Sequence, residues 1–491
     1  MNRQSTLVPR QSFSSVASLL LASAIVLPVT LMTGCGGSSA STPPVGNTVV
    51  TVLATSTAND QLSQFKMTVT SLTLTNKSGK TVTVFSTPES AEFMHLNGTV
   101  EPLYATEIPQ DTYTSATVTL EPSGYPECVT FDPAENDLLI NGSVGSYANP
   151  LTPTVNLPAP ITVAGVGMGL ALNLQVSESV SSFNCTSTFG AASITPTFDL
   201  TPVTIVALPS NSANGVATGL RGLIDTVAAN GAGFSVTAAD GPSWQVNTSA
   251  STQFQRISGA SQLAVGLPVD MDVAIQPDSS LLATRVAVYD TNTANLSVMS
   301  GPLLEVVPSV VLTALSEQNQ GPLFLGLQVS PSNFNFSSAS FQTSGQLANI
   351  QSLPFSATFT ASNMVPGQAV LVTTHATTVS GGPTYIPATT VTLLPQTVNG
   401  TVGAVSTSGS FTTYSVTLAA YDLFPDLAIL PGQGPLLKNP NTVVVYVDTN
   451  TQLLNSDPVA VGSLLRFNGL VFNDNGTLRM DCAQISDGVT E

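Results

Sequence analysis

Only two histidines, His95 and His375, are available as general bases among 491 residues, and hydrolytic chemistry through a side-chain nucleophile most often relies on such a base. His95 sits in Phe93-Met94-His95-Leu96, an apolar run that reads as a half-buried strand carrying a structural imidazole. No G-x-S-x-G, H-E-x-x-H or P-loop pattern occurs. Gly165, Gly167 and Gly169 imitate a dinucleotide loop, but the third glycine falls one residue early and no helix pattern follows. They read as glycines of a strand that permit close backbone approach. Asp132, Glu135 and Asp137 gather in a D-P-A-E-N-D loop beside Cys128. They are the weak candidates for a cation site, weighed against a solvated turn. Asn473-Asp474-Asn475-Gly476 resembles half a calcium loop and is read as a hairpin turn. Asp270 and Asp272 share one strand face, where paired carboxylates can act as acid and base on a glycosidic bond. Exposed charges that blunt a strand edge are the expected role. No catalytic or cofactor-binding set emerges, and a non-enzyme is expected.

The four cysteines point to export. Arg3 and Arg10 precede an apolar run from Val16 to Met32, the form of a secretory signal over residues 1–34. It ends Leu31-Met32-Thr33-Gly34-Cys35, which resembles a bacterial lipobox with Met32 in place of the usual Leu. The resemblance implies lipidation of Cys35 and a flexible tether over 35–46. Several acyl chains on that residue give stable membrane attachment. Gly36 after the cysteine leans the expectation to the outer membrane. Cys128 and Cys185 fall in one region and are the candidate disulfide pair in an oxidising compartment. None of the cysteine spacings is a zinc pattern.

Removing Arg3 and Arg10 leaves nine basic residues against 29 acids, so the exported chain carries a charge of about −20. Such a surface repels phosphate backbones, and nucleic acid is excluded as an expected partner. Hydrophobic residues at 42% supply ample core, and Thr and Val alternate in short runs, so strands rather than helices are expected.

Residues 47–208 read as one sandwich-like domain. Thr48–Ala54 is a strand. Phe65, Met67 and Val69 alternate, and Leu72 and Leu74 resume out of phase, as a bulge requires. Ile161–Val176 reads as one long strand. Within this region Glu92–Leu103 (EFMHLNGTVEPL), Glu107–Leu120 (EIPQDTYTSATVTL) and Thr195–Leu200 are similar to an uncharacterised domain family that follows the lipobox in many bacterial envelope lipoproteins. That resemblance implies no catalytic residues.

Beyond the linker Pro209–Gly215 the chain repeats. Gly222, Gly301 and Gly400 are shared first anchors, and Gly266, Gly367 and Gly462 are second anchors. Val246-Asn247-Thr248 leading to Thr252-Gln253-Phe254 matches Val447-Asp448-Thr449 leading to Thr451-Gln452-Leu453. Three units are expected at 217–291, 296–395 (divergent) and 398–488, each a small OB-like barrel. The segment is similar to a second uncharacterised family of exported β repeats. Counting from the second anchors sets His375 opposite Ala274, exposed, and Cys482 opposite Val286, a buried free thiol.

The fold class expected is therefore all-β: a sandwich-like domain followed by three OB-like repeats. The expected function is a lipid-anchored, non-enzymatic binding or structural role at the cell envelope. Its partners are the membrane through Cys35 and a protein or polysaccharide. An enzyme or accessory module on polysaccharide and a passive spacer are the alternatives.

Overall fold

The computed structural model describes residues 46–57, 62–122, 126–132, 137–180, 193–205, 215–238, 241–307, 310–313, 316–320, 323–328, 332–347, 350–375, 386–420, 422, 424–425, 437–454 and 459–487. Cys35, Glu135 and Cys185 lie outside them. Cys128, Asp132 and Asp137 lie on the strands Glu127–Asp132 and Asp137–Ser143, whose backbone pairs Asp132 with Asp137. Their side chains are outside the description.

The first apolar run forms the strand Asn47–Ser56, parallel to Gly167–Leu174 on one side and antiparallel to Glu101–Pro109 on the other. A second sheet is built on Lys66–Asn76, paired with Asp111–Pro122 and Thr81–Phe85. Met67, Val69, Leu72 and Leu74 are all buried although their parity changes, because the register with Asp111–Pro122 shifts between Val69 and Ser71. Val50, Val52, Leu170 and Leu172 of the first sheet share one core with Met67, Leu72 and Val118 of the second, which makes the domain a β-sandwich. The expected long strand Ile161–Val176 is broken. Ile161–Val163 joins the second sheet and Gly167–Leu174 the first, with Gly165 between them at φ +83°. That left-handed residue lets the chain cross from one sheet to the other. Gly167 confirms the close-approach reading, since a Cβ there would stand 2.0 Å from the Pro277 carbonyl oxygen.

Three barrels follow. In the first, the sheet order by residue range is Ser243–Asn247, Gly233–Ala238, Val216–Val227, Pro268–Ile275, Leu281–Val288 and Gln253–Gln255. A parallel pairing of Val246 with Leu281 closes the sheet on itself. The third barrel repeats this order with Thr442–Val447, Phe411–Leu418, Gln396–Ser408, Leu464–Asp474, Thr477–Asp487 and Gln452–Leu454, closed by Val445 with Met480. The middle barrel keeps the order around Ser297–Val307 and Ala369–Thr374 and adds the hairpin Ser316–Gln320 and Leu323–Gln328. That hairpin sets the middle barrel apart from the other two. The parallel pairing between third and fifth strands is the OB arrangement, so the all-β class with OB-like barrels holds.

The anchors owe their recurrence to one hydrogen-bond pattern. Gly266, Gly367 and Gly462 have φ of 84°, 92° and 88°, and their amides donate to Ile224, Leu303 and Val402 at 2.8, 2.7 and 2.7 Å. Only glycine takes that left-handed turn without strain. Thr252 and Thr451 occupy matched places, donating to the Ala283 and Cys482 carbonyls at 2.7 and 2.8 Å. This corrects two of the counted matches. Val246 superposes on Val445 rather than Val447, and Cys482 on Ala283 rather than Val286, because the hairpin before Cys482 has longer strands and a tighter turn. Cys482 is nonetheless a buried free thiol. Asn475 and Gly476, at φ 53° and 85°, form the two-residue turn expected of an Asn-Gly hairpin.

Two exposure expectations are overturned. Asp270 and Asp272 are 4% and 8% exposed, bracketing Arg285 of the neighbouring strand rather than facing water. His375 is half-buried, with Nδ1 2.9 Å from the Ala294 carbonyl and Nε2 3.0 Å from Asp290 Oδ2. In both cases the outer face of the fourth barrel strand is covered by another part of the chain.

Residues from Pro43 onward form one compact unit, and apolar contacts run across every module boundary. Leu53 and Val100 of the sandwich belong to the core of the first barrel. Leu223 of the first packs with Val298 and Leu371 of the second. Leu470 and Phe472 of the third lie in the core of the second.

Candidate functional site

The four modules meet at a cavity of about 250 Å³. The sandwich contributes the turn after Glu89–Glu92. Glu92 is 1% exposed and accepts the Phe65 amide at Oε1 (2.8 Å) and the Met94 and His95 amides at Oε2 (3.0 and 3.2 Å). These bonds pin the turn and present His95, which is not on a strand. Its Nδ1 lies 3.3 Å from Glu92 Oε2 and its Nε2 2.8 Å from Glu101 Oε2. Both ring nitrogens face carboxylates, and the ring donates to both only when it carries two protons. Glu101 is 2% exposed, and its second oxygen, Oε1, is buried with no hydrogen-bond partner among the described residues. Leaving a carboxylate oxygen dry and unpaired is costly, so this cavity wall offers an acceptor to any donor that enters.

The barrels supply the remaining wall from positions that match in the repeat. Arg221 and Ser300 each precede the first anchor glycine, and Arg221 Nη1 donates to Ser300 Oγ at 3.1 Å. Asp270 reaches the cavity from the first barrel, held by Arg285 and by Tyr289 Oη at 3.3 Å. Burial opposes the Arg285 charge, and the two aspartates outweigh it, so its pKa lies above the ordinary arginine value. Arg466, matched to Asp270 in the third barrel, donates from Nη1 to the Ser56 carbonyl at 2.7 Å and from Nε to Asp487 O at 2.7 Å. Gln484 Nε2 donates to Gly98 O at 2.9 Å, Thr397 Oγ1 to Asn97 O at 2.7 Å, and Trp244 Nε1 to Pro102 O at 2.9 Å. The first and third barrels therefore grip the 97–102 segment of the sandwich by its backbone.

Glu92, Glu101 and Asp270 thus converge with His95 and Arg221, none of them in the combination the sequence suggested. Glu92 is occupied by three backbone amides and Asp270 by Arg285, while Glu101 retains an open oxygen. The Asn97-Gly98 pair, with Gly98 at φ +74°, is a turn signal that identifies this segment as a loop rather than a strand. Among the described residues no group of three His, Cys, Asp or Glu side chains is arranged to hold a metal ion, and no helix is long and apolar enough to cross a membrane.

No protein-family model matches the chain, and no curated protein matches it. A solved structure of a deletion mutant of the single-stranded DNA binding protein from Thermus aquaticus aligns with 40% of this chain and 95% of its own at 9% identity. Its TM-score of 0.14 carries no argument about fold or ligand.

Proposed function

We propose that this chain is an exported envelope protein, anchored through acylated Cys35, that acts by binding or as a structural element rather than by catalysis. The observation that carries the reading is the grip of the first and third barrels on the 97–102 backbone. A passive spacer gains nothing from clasping its modules together, whereas a binding body gains a fixed arrangement of surfaces and a polar cavity. The lipobox-like Leu31–Cys35 supports the anchor, and the charge of about −20 disfavours nucleic acid. The family resemblances of the sandwich and the repeats agree with an envelope location. A second reading, a polysaccharide-directed enzyme or accessory module, is favoured by the gathering of Glu92, Glu101 and Asp270 on one cavity. Two of those three carboxylates are already occupied, which weighs against an acid–base pair.

Protease shaving of intact cells, read with an antibody to the third barrel, tests the role. Loss of signal supports adhesion or extracellular-polymer contact. Protection until the outer membrane is permeabilised refutes adhesion and supports a periplasmic partner. A Cys35→Ala chain that stays in the membrane fraction refutes the anchor.

A further inference from the structure

Glu101 lines the cavity where the four modules meet, with one carboxylate oxygen engaged and the other not. Its Oε2 lies 2.8 Å from His95 Nε2, while Oε1 is buried with no hydrogen-bond partner among the described residues. A carboxylate withdrawn from water needs donors or positive charge, and an orphaned oxygen marks a place where a partner is missing. The contact with the imidazole requires a single oxygen, which a glutamine also supplies. The second oxygen and the charge are not needed by that contact.

The surrounding charges favour a cation. Glu92, Glu101 and Asp270 line the cavity against one arginine, Arg221. Arg285 stands behind Asp270 and is shared with Asp272. Glu92 already accepts from the Phe65, Met94 and His95 amides. A hard metal ion takes about six to eight oxygen ligands, far more than the one open oxygen of Glu101. The rest of the wall suits an organic body, because Val100, Leu220, Trp244 and Pro302 are apolar. The indole N–H of Trp244 is engaged by Pro102 O at 2.9 Å, so the ring offers the cavity its carbons, a surface that suits methylenes and cations alike. The volume of about 250 Å³ lies just under the roughly 300–1,000 Å³ of pockets for drug-sized molecules. His95, with its side chain 24% exposed, marks the side open to water.

We propose that this cavity binds a small organic ammonium ion, its N–H donating to Glu101 Oε1 and its hydrocarbon body lying against Val100, Leu220 and Trp244. The assignment rests on the reading that the chain acts by binding, and it names the class of ligand.

Trp244 is the only tryptophan, and its N–H contacts the residue after Glu101, so its fluorescence reports on this cavity. The test titrates the full chain with n-butylammonium chloride, with its uncharged match 1-butanol and with D-glucose, all at equal ionic strength set by NaCl. A saturable change with a Kd of about 10 mM or tighter is expected for the ammonium ion. The response to 1-butanol should be at least ~10-fold weaker. Glu101→Gln keeps the side-chain shape and removes a buried charge, so it should fold like the parent and bind the ammonium ion at least ~10-fold more weakly. No saturable response up to about 50 mM ammonium ion overturns the proposal. A parent that answers 1-butanol as strongly as the ammonium ion also overturns it, whatever the variant does. So does unchanged affinity in folded Glu101→Gln, which places the ion elsewhere. Tighter binding of D-glucose overturns the ammonium assignment and leaves the binding reading standing. The protease and Cys35→Ala experiments bear on location and anchor, and their failure leaves the ammonium result untouched.

Discussion

Replacing Arg466 by Met keeps most of the side-chain volume and removes the guanidinium that joins the third barrel to the sandwich. Arg466 is 9% exposed and gives up donors to Ser56 O and Asp487 O, both at 2.7 Å, and to Asn97 Oδ1 at 3.3 Å. A hydrogen bond from a charged group contributes roughly 1.5–3 kcal/mol, and an acceptor left buried and unpaired adds a penalty of similar size. The apolar gain from the methionine side chain offsets part of this, so a net loss of roughly 2–4 kcal/mol is expected. The chain's single tryptophan is the natural reporter. Trp244 is buried with its indole N–H on Pro102 O, at the contact between the sandwich and the first barrel. If the four modules open together, Arg466→Met lowers the urea midpoint of the Trp244 fluorescence transition although the two residues belong to different barrels. A midpoint displaced by less than the equivalent of about 0.5 kcal/mol refutes the reasoning, because additive, independent modules do not transmit the loss.

Three further outcomes follow from individual sites. The bonds of His375 to Asp290 and Ala294 O outweigh the burial that opposes its charge and raise its pKa above the usual histidine value. Its contribution to stability is complete below an unfolded value of about 6.5 and is lost as pH rises through the higher folded value. His375→Gln should therefore remove part of the fall in melting temperature between about pH 6 and 8, and an unchanged pH profile refutes this assignment. Gly400→Ala places a Cβ 2.3 Å from the Thr417 carbonyl oxygen and should cost roughly 1–3 kcal/mol. Gly259→Ala, with nothing within 4 Å, should stay within about 0.5 kcal/mol in the same denaturation series. Burial pushes the Cys482 thiol pKa up, so iodoacetamide should leave the Cys482 peptide unmodified in the native chain and alkylate it in urea. Native alkylation contradicts the burial.

Local features of this fold are legible in the sequence because their causes are local. The out-of-phase Leu72 and Leu74 announce the register shift beside Val69, and Asn475-Gly476 announces its hairpin. Gly266, Gly367 and Gly462 recur because one left-handed turn recurs. The candidate site is not legible in that way. Alternation says that Asp270 and Asp272 face away from their own barrel core, but not that a guanidinium 13 to 15 positions later will meet them. It also says nothing of what will cover that outer face. The buried outer faces of the fourth strands arise from packing between modules, which no single strand's periodicity records. His95 was concealed by apolar neighbours that make a turn look like a strand, although Asn97-Gly98 marked the turn.

Small-angle X-ray scattering of the full chain, solubilised through its anchor or released after Cys35→Ala, tests most directly whether the four modules act as one clasped body. A compact unit of about 450 residues has a radius of gyration of about 22 Å, and a value close to that with a single-peaked distance distribution is expected. A radius above about 35 Å with separate peaks for separate modules contradicts it and returns the chain to a string of independent domains.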